Sequence, residues 1–303
     1  MSKLHDVSMR QLRYFVAASE ARQFSMAAAK VNVSQSAVTA AVHQLEDRMG
    51  VRLFERKPNG VELTAEGHQF YRHARHILDT LQDALSEPRF QRHSVSGTVR
   101  VGASYTVLGY FLPNLLARFK RSFPEVEVEL IDMEREGIER RVLDGDLELG
   151  LVILSNSTRR ESFAHHVLIR SRRQLWLAAD HPLMHRSNVT LEDVAEQAYI
   201  MATVDEGEIS ATRYWQSHGL EPRVAFRTSS MEALRGLVAH GFGVTILSDM
   251  LYRPWSLEGR KIGCRPLDDQ VPPMELGLVW QHDADFDEAT QALQSFLIQA
   301  SGA

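Results

Sequence analysis

Apolar positions along this chain follow two rhythms. Up to about residue 90 they fall at three- and four-residue steps, whereas beyond residue 97 every-second-residue alternation recurs between helical stretches. Near the front, Ser8 and Gln11 suit a capping box, and Leu12, Phe15, Val16 and Ser19 give the helix they open one buried face. Phe24 and Ser25 introduce a short alanine-rich helix, SMAAAK, whose small side chains permit close approach of a neighbour. VNVS breaks it, and Ser34 is placed to cap the next helix, where Val38, Ala41, Val42, Leu45 and Met49 share one stripe. Two helices joined by a tight turn, the second with two unlike faces, make a helix-turn-helix pattern. VRLF and VELT are expected to pair as strands around ERKPNG, with Asn59-Gly60 turning the hairpin and Arg56 and Lys57 near its tip. After Thr64, the residues Phe70, Ala74, Ile77, Leu81 and Leu85 step by four and three, a seam close to a heptad that Pro88 ends. On a domain this small, such a stripe predicts pairing with a second copy of the chain.

The remainder alternates strands with helices. SVSGTVRVGAS opens it after a Ser-rich joint, and Leu108, Phe111, Leu112, Leu115, Leu116 and Phe119 predict one helix. PEVEVELID (strand), GIERRVLDGD (helix) and LELGLVIL (strand) follow. The rhythm returns in QLWLAA, LEDVAEQA, YIMATV, ISATRYWQSHG, VAFRT, MEALRGLVAHG and VTILS, and closes with MELGLVWQ and FDEATQALQSFLIQA. This order predicts an α/β fold with a largely parallel sheet.

Composition adds limits. The chain has 303 residues, 44% of them apolar and 24% charged, a length that suggests about two domains. No window approaches the roughly 20 apolar residues of a membrane span, and MSKLHDVSMRQLRYF lacks the pattern of a secretion signal, so a cytoplasmic location is expected. Cys264 is the only cysteine, which excludes internal disulfides and multi-cysteine metal sites. The net charge of −5 divides unevenly: residues 1–90 carry +2 and the rest −7. Charge therefore permits nucleic-acid binding at the front without demanding it. No nucleophile elbow, phosphate loop or metalloprotease motif is present, and His68, His73 and His76 have no supporting carboxylate or cysteine cluster. Neither catalysis nor a metal nor a cofactor is expected.

The polar face of the third helix is unusual. Gln35, Ser36, Thr39, Ala40, His43 and Gln44 are short and uncharged, where a solvated face would be dense in Lys and Glu. Side chains of this kind reach base edges in a major groove, while neighbouring elements meet the phosphates. On periodicity alone, a three-helix packing module with a solvated face fits equally well. Farther along, GASYTVLG puts Ser104, Tyr105 and Thr106 at a strand end that opens a helix, where free N–H groups favour an anion.

The stretch from LRYF to LTAEG, some sixty residues, resembles the N-terminal winged helix-turn-helix of LysR-type transcriptional regulators. FSMAA, VSQSAVT, LEDRMGVRLFER and LTAEG carry the likeness. One departure stands out: the family often has an Arg soon after this AVT step, whereas this chain has Ala40 and Ala41. The resemblance implies groove reading by Gln35, Ser36 and Thr39, with His43 farther along the helix, and backbone contact by Ser34 and Arg56, with Lys57 on the wing. It further implies a dimerising linker helix, and a second domain of periplasmic-binding-protein architecture whose two lobes enclose an effector. GFGVTIL supports this second likeness, although Ser248 stands where the family commonly has Pro. Implied boundaries are 1–63 for the DNA-binding domain, 64–90 for the linker and 91–303 for the effector domain. Lobe I would take 97–167 and 271–303, and lobe II 168–270. Cleft-wall candidates are Ser104, Tyr105, Thr106, Met133, Thr203 and Thr245. The expected partners are double-stranded operator DNA, a small anionic effector, RNA polymerase, and further copies forming a homodimer and then a homotetramer. The competing possibilities are an enzyme that borrowed such a head, and a solute-binding or scaffold protein whose helix-turn-helix serves protein contacts.

Overall fold

The computed structural model describes residues 7–21, 23–57, 60–86 and 95–301, in two compact units that divide after Arg92. In the first unit the capping box closes as expected: Ser8 N–H donates to Gln11 Oε1 at 2.8 Å and Gln11 N–H to Ser8 Oγ at 3.3 Å. Helices α1 (Met9–Ala21), α2 (Phe24–Lys30) and α3 (Gln35–Met49) follow. Asn32 turns the chain between α2 and α3 in the left-handed region (φ 55°), which Asn tolerates better than most residues. Ala17, Ala18, Ala27, Ala28 and Val38 pack the three helices closely, and Phe15, Leu45 and Leu53 form a second cluster.

The wing departs from the expected pairing. Its strands are β1 (Phe54–Lys57) and β2 (Gly60–Leu63), with Phe54 opposite Leu63 and Lys57 opposite Gly60. Arg56 and Lys57 therefore belong to the ladder rather than to the loop, and Asn59 lies outside the described residues. Val51 to Leu53 lie outside the ladder: the Leu53 carbonyl still accepts from Thr64 N–H at 3.0 Å, but Leu53 is fully buried and its N–H is given to Glu46.

Helix α4 (Ala65–Ser86) starts at Thr64, whose hydroxyl accepts from Gly67 N–H at 2.9 Å. The expected seam divides. Phe70 lies 5.0 Å, ring to ring, from Phe15, and Ala74 is fully buried, so this end of the stripe packs inside its own head with Tyr71 and Leu78. Ile77 is 41% exposed and points elsewhere. The Leu85 side chain and Pro88 lie outside the described residues.

The second unit runs β3 (Gly97–Ala103), α5 (Tyr105–Tyr110), α6 (Leu112–Ser122), β4 (Val126–Asp132), α7 (Arg135–Leu143), β5 (Leu149–Ile153), β6 (Ala164–Ser171), β7 (Arg173–Ala178), α8 (Leu191–Ala195) and β8 (Ala198–Ala202). It continues with α9 (Gly207–Ser217), β9 (Arg223–Thr228), α10 (Met231–Ala239), β10 (Thr245–Ser248), β11 (Ile262–Arg265), β12 (Met274–Trp280) and α11 (Glu288–Ser301). The single helix expected over Leu108 to Phe119 is two, because Pro113 starts a new one in its first turn and cannot continue the old.

Its strands form a five-stranded sheet in the order β4-β3-β5-β12-β6, a three-stranded sheet β10-β7-β11, and the pair β8-β9. A parallel bridge from Tyr199 to Val244 joins the last two groups. Apart from that bridge, the parallel pairs among the described residues are β3 with β4 and β5, and β8 with β9; β12 and β7 pair antiparallel to their neighbours. The sheets are thus mixed rather than largely parallel, since the chain reverses where it passes between lobes. The first crossing comes after Ser171, which still pairs with Met274, four residues beyond the expected edge at Val167. Each lobe has its own core, around Ile138, Leu147 and Phe163 in the first, and on both faces of β7 in the second. Among the described residues no helix is long and apolar enough to cross a membrane.

Candidate nucleic-acid interface and ligand cleft

In α3 the apolar stripe faces inward from Val38 to Leu45, whereas Met49, expected to continue it, is 41% exposed at the helix end; Gln35, Ser36, Ala40 and His43 are exposed and Thr39 is half-buried. Ser34 caps the helix by accepting from Ala37 N–H at 3.2 Å, and its hydroxyl lies 2.9 Å from that of Ser36. Thr39 Oγ1 donates to the Gln35 carbonyl at 2.9 Å. His43 Nδ1 lies 3.3 Å from Glu46, and Gln44 accepts from Gln11 Nε2 at 2.8 Å, a link between helices that engages the Gln44 amide oxygen. The Gln35 side-chain amide has no partner among the described residues. Arg56 is exposed on β1, and the Lys57 side chain lies outside the described residues.

Glu46, within LEDRMG, has a role that no local pattern marks. It is buried, and Oε1 accepts from Leu53 N–H (2.8 Å) and Phe54 N–H (3.2 Å) while Oε2 accepts from Arg52 at 3.1 Å. Burial opposes ionisation, yet the two backbone donors and then Arg52 outweigh it and hold the carboxyl below its usual range. The carboxylate thereby fixes the wing to the end of α3.

Between the lobes of the second unit, the N–H groups predicted to attract an anion already hold one. Thr106 N–H donates to Asp205 Oδ2 at 2.6 Å, and Ser104 Oγ, which makes no capping bond of its own, donates to the same oxygen at 3.3 Å. Asp205 and Glu206 both have positive φ (47° and 60°), an uncommon conformation for residues with side chains. Several bonds hold them there. Asn156 Nδ2 donates to the Asp205 carbonyl at 2.8 Å, and Arg135 donates to both Glu206 oxygens at 2.7 and 2.8 Å. The Glu206 hydrogen bonds, joined by those of Glu139, raise the Arg135 pKa against the effect of burial.

Behind this contact lies a cavity of about 40 Å³, lined by Thr106, Asn156, Arg173, Met201, Asp205, Met231 and Thr245 among others. That is room for a few water molecules at about 10–15 Å³ each, well short of a metabolite. The Thr245 hydroxyl and Asn156 Oδ1 are buried there without hydrogen-bond partners among the described residues. Arg173 donates to Ser210 Oγ (3.2 Å) and to the Pro272 carbonyl, and no carboxylate pairs with it among the described residues. Burial lowers its pKa.

Of the six expected wall residues, Thr106 and Thr245 line the cavity and Ser104 touches it through Asp205. Tyr105 instead lines a separate groove of about 470 Å³ with Tyr110, Arg235 and Arg253. Met133 packs against the lobe I core, and Thr203 gives its N–H to Thr228 before the Asp205 turn. The residues missed were Asp205, Asn156 and Arg173, for which the sequence carries no local motif. Ser248, at the position where Pro was expected, donates to Ser171 Oγ at 2.6 Å and so ties the lobe crossing to β10.

Two families match the chain: the bacterial regulatory helix-turn-helix protein, lysR family, over residues 9–68, and the LysR substrate binding domain over residues 92–302. The HTH-type transcriptional regulator YnfL of Escherichia coli (strain K12) is 28% identical over 301 residues, covering 97% of this chain and 99% of that protein. HinK, a LysR family transcriptional regulator from Pseudomonas aeruginosa, superimposes with a TM-score of 0.62 at 24% identity, over 97% of this chain and 98% of its own. Full-length CbnR complexed with its target DNA gives a TM-score of 0.56 at 22% identity, over 97% and 99% of the two chains. With both parts matched in their order along the chain, the chain belongs to the LysR family: a transcriptional regulator with an N-terminal helix-turn-helix and a two-lobed C-terminal effector-binding domain.

Proposed function

We propose that this regulator reads operator DNA through Gln35, Ser36 and Thr39, with Ser34, Arg56 and Lys57 on the backbone and His43 at the far edge of the contact. The observation that carries this is the free amide of Gln35 at the exposed start of α3, beside a polar surface with no charged side chain across it. Such a protein works beside the chromosome, in the cytoplasm, with RNA polymerase as a further partner. The exposed side of α4 around Ile77 serves dimer formation, and two dimers make a tetramer. The test is Gln35→Ala, measured by fluorescence anisotropy on a selected duplex and on random DNA. The variant should lose about 1–3 kcal/mol on the selected site only; equal losses on both would remove Gln35 as a base reader.

The effector is a small anionic metabolite whose carboxylate exchanges with that of Asp205 at Ser104 and Thr106. Since the cavity behind is too small for a metabolite, binding has to separate the lobes or displace the Asp205 turn. Either change gives the ligand the unequal affinity for two arrangements that a switch requires. In a thermal-shift screen of organic acids and their amides, an acid should raise the Tm and its amide should not. Stabilisation by neutral compounds alone would end the anionic assignment.

A further inference from the structure

This inference rests on the DNA-reading role proposed for α3 and concerns which bases that helix accepts. Several polar groups on this face are already bonded within the protein. Ser34 caps the helix and is in contact with Ser36, Gln44 is held by Gln11, and His43 lies against Glu46. Thr39 spends its hydroxyl proton on the Gln35 carbonyl. That bond, back to the preceding turn, leaves the γ-methyl as the unengaged part of the side chain. Ala40 beside it is exposed and carries only a methyl group. One turn earlier stands Gln35, whose amide is free to bond. The surface thus offers one flexible amide followed by two adjacent methyl groups.

Of the four bases, only thymine presents an apolar group in the major groove, its 5-methyl. Two methyls laid against the cytosine amine or the guanine oxygen would bury a polar group without a partner. We infer that Thr39 and Ala40 recognise thymine by its 5-methyl group, with Gln35 as the hydrogen-bonding reader of the same half-site. Thr39 therefore acts through its carbon and not its oxygen. An Arg at the position of Ala40 would instead reach the guanine acceptors.

The full-length protein is used to select binding sequences from a random duplex pool. On the best duplex, each thymine is then replaced singly by deoxyuridine, which removes the methyl and leaves every hydrogen-bonding group in place. Affinity at one or more thymines per half-site should fall about fourfold, the equivalent of one buried methyl group. Thr39→Val keeps the shape and both γ positions but no hydroxyl; it should bind within about twofold of the parent and keep the deoxyuridine effect. Thr39→Ser keeps the hydroxyl but not the methyl; it should bind the thymine duplex about fourfold more weakly and narrow the gap between thymine and deoxyuridine. The inference is overturned if no thymine is sensitive, or if Thr39→Val loses about tenfold or more while its circular dichroism matches the parent. A selected duplex that ignores deoxyuridine sinks this inference and leaves DNA reading intact. Selection of no sequence sinks both.

Discussion

Glu46 does the work of a tertiary cap. Its buried carboxylate takes two N–H groups that neither α3 nor the wing ladder can satisfy, at Leu53 and Phe54. Because those bonds hold its folded pKa below the ordinary value, the stability it adds is present above an unfolded pKa of about 4.3. That stability is lost as the pH falls through the folded value. Glu46→Gln should therefore cost about 1–3 kcal/mol at pH 7, seen as a lower urea midpoint, and the gap to the parent should narrow below about pH 4. A gap constant down to the acid unfolding of the parent would show that shape, and not charge, is what matters. Thr39 offers the opposite lesson: a polar residue on a polar face whose hydroxyl is already spoken for.

Helix α4 shows how one apolar stripe can serve two surfaces. Phe70, Ala74 and Leu78 complete the head's core, while Ile77 stays out of it. Gly67 lets the first turn of α4 come this close: a Cβ there would stand 2.1 Å from the Leu53 carbonyl oxygen. Because that neighbour is backbone and tied into the wing, it cannot swing aside. Gly67→Ala should destabilise the head by about 3 kcal/mol or more, read from the first unfolding transition in urea. An unchanged transition would mean that α4 can shift without loss and that its contact with the wing is loose. The break between α5 and α6 is likewise a matter of one residue, since Pro113 cannot extend the preceding turn.

Across the whole effector domain, the lobes are held together by the chain's own charged side chains. Asp205 occupies the N–H groups at the start of α5, Glu206 pairs with Arg135, and Arg213 reaches the Ser155 carbonyl at 3.0 Å. Asp205→Asn keeps a residue that tolerates positive φ but removes the charge from the bond to Thr106. Hydrogen exchange at the Thr106 amide should then quicken by about tenfold, the equivalent of roughly 1.4 kcal/mol of charge-assisted bonding. Amides in the lobe cores should be unaffected. Equal protection in parent and variant would show that the Asp205 contact holds nothing shut.

The amino-acid pattern by itself determined the helix-turn-helix, the two-faced α3, the Ser34 cap and nearly every helix and strand of the effector domain, because these depend on near neighbours and on spacing of 2 or 3.6 residues. It also singled out Thr106 and Thr245, which line the small cavity between the lobes. Strands β6 and β11 escaped it: each is a ladder partner chosen by distant residues, β6 by β12 at about 103 to 116 positions and β11 by β7 at about 84 to 90. Only the folded chain decided that Phe70 turns inward, that Glu46 joins two elements, and that an acid from lobe II fills the anion-favouring end of α5. Each of these is a contact between residues remote in sequence, and no local periodicity records which distant group a free N–H or an apolar face will meet.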